Sequence, residues 1–189
     1  FDALDLHYNT EEMKKLKENY LELFGEWQKR DLPRDVAALF VDVYHSQTMI
    51  DERIRKTALY VIISVDFEGK KDLVGLYLYD GAECKAFWLQ TFNQIIERGI
   101  KNPLMIISDN FSGLKSVVET LFPKAKHQLC FIHMQRNVRK HMGTQDARDF
   151  NQSLQQIKLL NNKEACEKQF VKLCKTYEKR YSTFTQSLE

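Results

Sequence analysis

The order in which strand-like and helix-like segments follow one another is the feature that most constrains the fold of this chain. Five runs of mostly apolar, β-branched and aromatic residues predict strands, at 38–44, 59–65, 73–79, 104–108 and 126–130. The short polar segment 66–71 contains Gly69 and predicts a hairpin, whereas the longer segment 45–57 reads as a connection. The last two strands alternate with helical patterns, so the sequence predicts the order βββαβαβα.

Apolar residues at helical spacing predict the helices. An amphipathic helix is expected over roughly 11–29, and a helix capped by residues 80–83 and ended by Gly99 precedes the fourth strand. The predicted order matches an α/β ribonuclease H-like topology, a five-stranded mixed sheet with flanking helices in which the first strand lies between the second and fourth. We therefore expect an N-terminal helical linker, a ribonuclease H-like core and the start of a C-terminal helical insertion, at 1–35, 36–145 and 146–189.

Composition narrows the class of protein. The chain has 189 residues, of which 43% are hydrophobic, and its net charge is only +2, so its total charge does not argue for nucleic acid. The segment 124–148, in contrast, carries six Lys or Arg and one acid, which suits an anionic partner or a solvated basic face. No apolar run is long enough to span a membrane. The four cysteines form no CxxC pair, which favours a reducing compartment.

Two aspartates lie in or at the end of predicted apolar strands. Asp42 lies in the middle of Leu39–Tyr44, where a buried charge would need either a Lys or Arg partner or a bound cation. Asp109 ends the fourth strand, where its ordinary role would be to cap a turn or helix. In the predicted topology the two strands are neighbours, so the two carboxylates are expected to converge on a divalent metal.

Seven short motifs follow one another along the chain. They are Trp27–Leu32, Phe40–Tyr44, Val65–Lys71 with Val74–Leu76, Glu83–Trp88 with Arg98-Gly99, Ser108–Leu114, Phe122-Pro123 and Gln128–Asn137. In this order they resemble the Mutator-type transposases, a family of bacterial insertion-sequence enzymes related to eukaryotic Mutator elements. The resemblance covers about residues 25–145. Asn110 departs from it, because the family more often has Gly after its second Asp.

The resemblance implies DDE-type cleavage and strand transfer, with Asp42 and Asp109 as catalytic residues and metal ligands. It implies a two-metal site for Mg²⁺ or Mn²⁺, which would activate the attacking oxygen and stabilise the leaving oxygen. It further implies that the partners are duplex DNA, as transposon ends and target. The whole protein is expected to be a homo-oligomer in the bacterial cytoplasm, associated with the nucleoid and not with a membrane.

Three further sets of residues are candidates for a functional role. Cys130 and His133 form a C-x-x-H pair that the family also shows. A zinc site would need two more ligands, and the alternative is a structural Cys and a locally hydrogen-bonded His. His127 and His141 appear isolated. Exposed cations on the following helix are expected to contact DNA phosphates or simply to be solvated, at Arg136, Arg139 and Lys140.

The third acid of the family, a Glu on a late helix beyond a helical insertion, has no convincing counterpart in this sequence. Glu164, Glu167 and Glu178 read as exposed helix positions, so we expect the catalytic Glu beyond residue 189 and expect the chain alone to be inactive. Two alternatives remain at the level of the sequence. One is a catalytically inactive DNA-binding or interaction fragment of a decayed transposase, and the other is a ribonuclease H-like nuclease.

Overall fold

The structure, a computed structural model, describes residues 10–50, 53–79 and 84–188, without the side chains of Thr48 and Ile50. The helix cap predicted at 80–83 lies outside these residues. The strands are β1 (Asp35–Ile50), β2 (Arg53–Val65), β3 (Lys71–Tyr79), β4 (Asn102–Ser108) and β5 (Lys126–Leu129). The helices are α1 (Thr10–Lys29), α2 (Lys85–Glu97), α3 (Leu114–Leu121), α4 (Phe131–His141), α5 (Thr144–Lys158) and α6 (Lys163–Gln186).

The five strands form one mixed sheet in the order β3-β2-β1-β4-β5. Strand β1 pairs antiparallel with β2 and parallel with β4, so it is the central strand, as the sequence predicted. The β2–β3 connection is the predicted hairpin: the Asp66 carboxylate accepts hydrogen bonds from the backbone N–H groups of Glu68 and Lys70, at 2.9 and 2.8 Å. The fold is therefore ribonuclease H-like.

Within the segment 45–57, residues 45–50 and 53–57 belong to strands β1 and β2, so the prediction of a long connection was wrong for them. Strands β1 and β2 pair continuously from Ala38↔Val65 to Ile50↔Arg53. Strand β4 pairs with β1 only as far as Val41, and β3 pairs with β2 only from Ala58 onward. The outer part of the hairpin is therefore a two-stranded ribbon that extends beyond the rest of the sheet. Its polar sequence lacks the apolar alternation that normally reveals a strand, because its described side chains are mostly exposed and only Thr57 among them is buried.

The chain forms two compact units, one up to Gln128 and one from Leu129. In the first unit, the apolar faces of α2 and α3 pack on one side of the sheet. Trp88, at the centre of this core, contacts Tyr60 edge-on at 5.0 Å and stacks on Phe111 at 5.4 Å, measured between ring centroids. Burial of these large rings supplies much of the driving force for folding this unit.

Only the last turn of α1 is attached to the sheet. Gln28 donates to the backbone oxygen of Leu76 at 3.1 Å, and Arg30 forms a 2.8 Å salt bridge with Asp72. Arg98 donates to the backbone oxygens of Val74 and Arg30, at 2.6 and 3.1 Å. Earlier residues of α1 are exposed, so the predicted helix forms without burying most of its apolar stripe.

The second unit is helical. Val138, Phe150, Leu154 and Cys174 are central to its core, which α4, α5 and α6 share. Asn162 caps α6 by accepting from the backbone N–H of Ala165 at 3.1 Å, as expected for an Asn before a helix. None of the four cysteines forms a disulfide bond. None of the helices that the structure describes is both long and apolar enough to cross a membrane.

Candidate active site

Asp42 and Asp109 occupy equivalent places on neighbouring strands. The last residue pair between β1 and β4 is Val41↔Ser108, and each aspartate follows its member of that pair. The two strands run parallel, so their next residues stand side by side at the same edge of the sheet. Neighbouring strands lie about 4.8 Å apart, a separation that two carboxylates can bridge with a shared cation.

Asp42 is not buried, which corrects the prediction from sequence. Strand β1 buries Leu39 and Val41 against α2 and α3, whereas Phe40, Asp42 and Tyr44 alternate onto the other side of the sheet and are exposed. The cost of burying a charge therefore does not apply to Asp42, and it requires neither a Lys partner nor a cation on that ground. One oxygen of its carboxylate accepts a 2.8 Å hydrogen bond from the backbone N–H of Val43.

Asp109 begins a tight turn and is half-buried. Its carboxylate accepts a 2.8 Å hydrogen bond from the backbone N–H of Asn110, and its backbone oxygen accepts a 2.9 Å bond from Phe111. The ring of Phe111 is only 8% exposed and stacks on Trp88. The turn that carries Asp109 is therefore anchored in the aromatic core two residues further along the chain.

Gly113 closes this turn where no other residue fits well. It has a positive φ of 77° and immediately precedes α3. A Cβ atom at this position would lie 2.9 Å from the backbone nitrogen of Lys85, at the start of α2. Glycine supplies both the left-handed conformation and the close approach of the two backbones. The Asp109 turn thus rests directly on the first turn of α2.

The buried Ser108 and the half-buried His127 support Asp109 from the β5 side. The Ser108 hydroxyl donates to the backbone oxygen of Asp109 at 2.7 Å, and its oxygen lies 2.8 Å from Nε2 of His127. Since the serine proton is already committed, His127 is assigned as the donor, with its proton on Nε2. Burial lowers the pKa of His127, and Lys115 lowers it further, whereas Glu119 raises it.

The predicted zinc pair lies in the second unit. Cys130 is the residue that immediately precedes α4, and His133 is in the first turn of that helix; both are partly buried. Within residues 10–50, 53–79 and 84–188, no three or more His, Cys, Asp or Glu side chains gather in a group that could hold a metal. Neither the aspartate pair nor the Cys130–His133 pair therefore has a third ligand of these types there.

The predicted DNA-binding residues share one face of α4. Arg136, Arg139 and Lys140 are spaced i, i+3 and i+4, which places their side chains together on a helix. All three are exposed, whereas Val138 is buried in the core of the second unit. Across the described part of the chain none of the three takes part in a salt bridge, so their charges face solvent.

Reasoning from sequence missed the residues that support the site. Ser108, Phe111 and Gly113 lie in the motif around Asp109, but nothing local indicated which of them reach the core or α2. His127 is not isolated, as its sequence position suggested, because it contacts Ser108. The one signal for this contact in the sequence is that His127 lies on the predicted fifth strand, the neighbour of β4.

Comparisons with known proteins bear on the whole chain. The family described as "Transposase, Mutator family" matches residues 3–189. The transposase for insertion sequence element ISRM3 of Rhizobium meliloti is 28% identical over 145 residues, 77% of this chain and 36% of that protein. The transposase for insertion sequence element IST2 of Acidithiobacillus ferrooxidans is 28% identical over 177 residues, 93% of this chain and 59% of that protein.

Among solved structures, the chain is similar to the HTLV-2 integrase catalytic core domain in complex with magnesium, in its dimeric form. The TM-score is 0.37 and the identity 18%, and the match covers 74% of this chain and 86% of that one. The chain spans between about a third and three fifths of the length of the two curated relatives above. Because the family match extends over nearly every residue, this chain belongs to the Mutator family of transposases.

Proposed function

We propose that this chain provides the catalytic core of a DNA transposase that cleaves and rejoins phosphodiester bonds with the help of Mg²⁺ or Mn²⁺. One observation supports the proposal: Val41↔Ser108 is the last residue pair between the parallel strands β1 and β4, and Asp42 and Asp109 directly follow its two members. Membership of a transposase family indicates the kind of reaction that this pair of carboxylates would serve.

The residues fit a divalent metal. Carboxylate oxygens are the ligands that Mg²⁺ and Mn²⁺ prefer, and Asp42 and Asp109 would hold the ion from two different strands. The metal, when bound, would activate water or a 3′-hydroxyl group and stabilise the departing oxygen of the phosphodiester. Asp42 is fixed by the central strand of the sheet, and Asp109 by its turn.

The protein's own contribution is to hold the two carboxylates in place before substrate arrives. His127 and Ser108 fix the backbone of Asp109, and Phe111 and Gly113 attach its turn to the core and to α2. Supporting contacts of this kind reduce the reorganisation needed when charge develops during the reaction.

A two-metal cage of the DDE type needs a third carboxylate, which the family resemblance places on a late helix. We propose that this Glu lies beyond residue 189, because no third acidic ligand joins Asp42 and Asp109 within the residues that the structure describes. On this proposal the chain alone binds divalent metal weakly, at millimolar concentration, and does not cleave DNA.

The basic face of α4 is proposed to contact phosphate. Arg136, Arg139 and Lys140 present three solvent-facing cations without competing salt bridges in the described residues. We further propose that the whole protein acts as a homo-oligomer on transposon ends and target DNA, as the family resemblance implies.

The test uses the whole protein that contains this chain, with duplex DNA that carries the ends of its element. Cleaved and joined products should appear only with Mg²⁺ or Mn²⁺ and should be lost in Asp42→Asn and Asp109→Asn. The matched control is Glu68→Gln, an exposed acid in the β2–β3 turn, which should retain activity. A wild-type protein that binds these duplexes but yields no product with either metal would contradict the catalytic proposal and support a non-catalytic DNA-binding role.

A further inference from the structure

Tyr44–Ile50 and Arg53–Thr57 form a β-ribbon that contributes no described side chain to the hydrophobic core of its unit. It continues the β1–β2 pairing beyond the point where β3 and β4 stop. Three of its large apolar side chains are exposed, with Tyr44 at 66%, Met49 at 72% and Ile54 at 71%. An isolated two-stranded ribbon gains little stability by itself, so a long one whose described side chains are mostly exposed suggests that it serves a partner.

The ribbon begins at the candidate active site. Asp42 lies two residues before Tyr44 on the same strand and the same side of the sheet, since side chains alternate along a strand. The ribbon therefore extends from the edge of the sheet at which Asp42 and Asp109 stand. An open groove of about 770 Å³ at its base is lined by Ser112 of the Asp109 turn and by ribbon residues that include Gln47 and Lys56 of the side opposite Asp42.

The pairing register places two cations on the Asp42 side of the ribbon. Residue pairs alternate between the two sides, and Asp42↔Val61, Tyr44↔Leu59, Ser46↔Thr57, Thr48↔Arg55 and Ile50↔Arg53 all belong to one of them. Arg53 and Arg55 thus point to the side that starts with Asp42, and both are exposed. Lys56 pairs with Gln47 on the opposite side.

The spacing of these groups matches a DNA duplex that lies along the ribbon. Thr48 and Ile50, the partners of Arg55 and Arg53, are six and eight residues beyond Asp42, or about 20 and 26 Å at 3.3 Å per residue. Since each nucleotide of B-form DNA rises about 3.4 Å, these distances correspond to roughly six and eight base pairs. Two-stranded ribbons of this width are known to fit the major groove.

From this arrangement we infer that the ribbon is a DNA-binding arm. Arg53 and Arg55 hold backbone phosphates of the duplex about six to eight base pairs from the bond that Asp42 and Asp109 address. The inference rests on the proposed function, because the six to eight base pairs are counted from that bond. The ribbon is then a second phosphate-binding element besides the basic face of α4. Its contribution to DNA binding depends on the length of the flanking duplex.

The experiment measures binding of this chain, without divalent metal, to duplexes whose flank beyond the scissile position ranges from about 3 to 15 base pairs. On long flanks the double variant Arg53→Gln/Arg55→Gln should lower the slope of log affinity against log salt by about 2. On flanks shorter than about six base pairs the variant and the wild type should bind equally. The conservative pair Arg53→Lys/Arg55→Lys should keep most of the long-flank affinity, which excludes a simple collapse of the ribbon.

The matched control removes two charges at the other end of the sheet, in Lys70→Gln/Lys71→Gln. The inference would be overturned if this control lost as much affinity for long flanks as the arginine variant. It would also be overturned if the arginine variant lost the same affinity at every flank length. The two proposals can fail separately. Divalent-dependent cleavage with no flank-dependent role for the arginines removes only the arm, whereas flank-dependent binding without cleavage removes only the catalytic proposal.

Discussion

Nε2 of His127 lies 2.8 Å from Oγ of Ser108, the residue immediately before Asp109. Because the Ser108 hydroxyl in turn donates to the backbone oxygen of Asp109, strand β5 supports the candidate active site through two partly buried hydrogen bonds in series. This relation predicts that residues outside the aspartate pair control both the stability of the site and its response to pH.

Replacing Ser108 by Ala should destabilise the first unit by about 1–3 kcal/mol, because the half-buried His127 would lose its hydrogen-bond acceptor. Urea unfolding measures this change. The control Thr120→Ala removes an exposed hydroxyl that donates to Ser116 within α3, and it should cost less than about 0.5 kcal/mol. Equal losses in the two variants would show that the Ser108–His127 contact has no special importance.

The pKa of His127 is lowered in the folded chain from its ordinary value of 6.5, chiefly by burial. The unfolded state therefore binds this proton more readily, and the contribution of neutral His127 to stability is present above pH 6.5 and lost as pH falls below it. Melting temperatures between pH 7.5 and 5 should decline less steeply in His127→Gln than in the wild type. Parallel curves for the two proteins would contradict the assignment.

Millimolar Mn²⁺ or Mg²⁺ should raise the melting temperature of the wild-type chain, since an ion that binds only the folded state stabilises it. Asp42→Asn should abolish this rise and leave the metal-free protein as stable or more so, because it removes one of two neighbouring negative charges. Glu68→Gln serves as the control and should keep the rise. A metal-dependent rise that persists in Asp42→Asn would place the ion elsewhere.

Removing Arg136, Arg139 and Lys140 together, as alanines, should flatten the salt dependence of duplex DNA binding by up to about 3 in slope, since each phosphate contact releases counterion. The matched control is the alanine triple of Lys168, Lys172 and Lys175, three exposed cations on α6 of the same unit. If the control flattens the slope as much, the effect reflects total charge and not a binding face on α4.

Gly113→Ala should destabilise the chain by at least about 1–2 kcal/mol, because alanine disfavours a φ of 77° and its Cβ would meet the backbone of Lys85. The same substitution at Gly25, where nothing lies within 4 Å of the new methyl group, should be neutral or stabilising in helix α1. Denaturant unfolding of both variants provides the comparison. A tolerated Gly113→Ala would mean that the Asp109 turn can shift away from α2.

The sequence was sufficient for the strand order and for the neighbouring positions of Asp42 and Asp109. Apolar runs and their connections identify the central strand, because β1 and β4 must both bury residues such as Leu39 and Ile106 against the helices. The extent of the ribbon was not predictable in this way. Its two strands are held by hydrogen bonds to each other, and a pattern of buried side chains is what sequence reasoning detects.

The environment of the site depended on contacts that are distant in sequence. Asp42 looked buried because its neighbours Val41 and Val43 are apolar, yet in a strand they face the opposite side from it. His127 and Ser108 are nineteen residues apart, and only the pairing of β4 with β5 brings them together. The supporting contacts of the site therefore follow from the sheet order and could not be read from the motif around Asp109.

The attachment of α1 has a mechanical consequence. Arg98 holds the backbone oxygens of Val74 and Arg30, and Arg30 is bonded to Asp72, so the helix is joined to β3 and to the end of α2. Strand β3 is the outer strand of the sheet, and β2 stands between it and β1. A twisting force on α1 would therefore act first on the outer strand β3. The central strand that carries Asp42 would be shielded from this force.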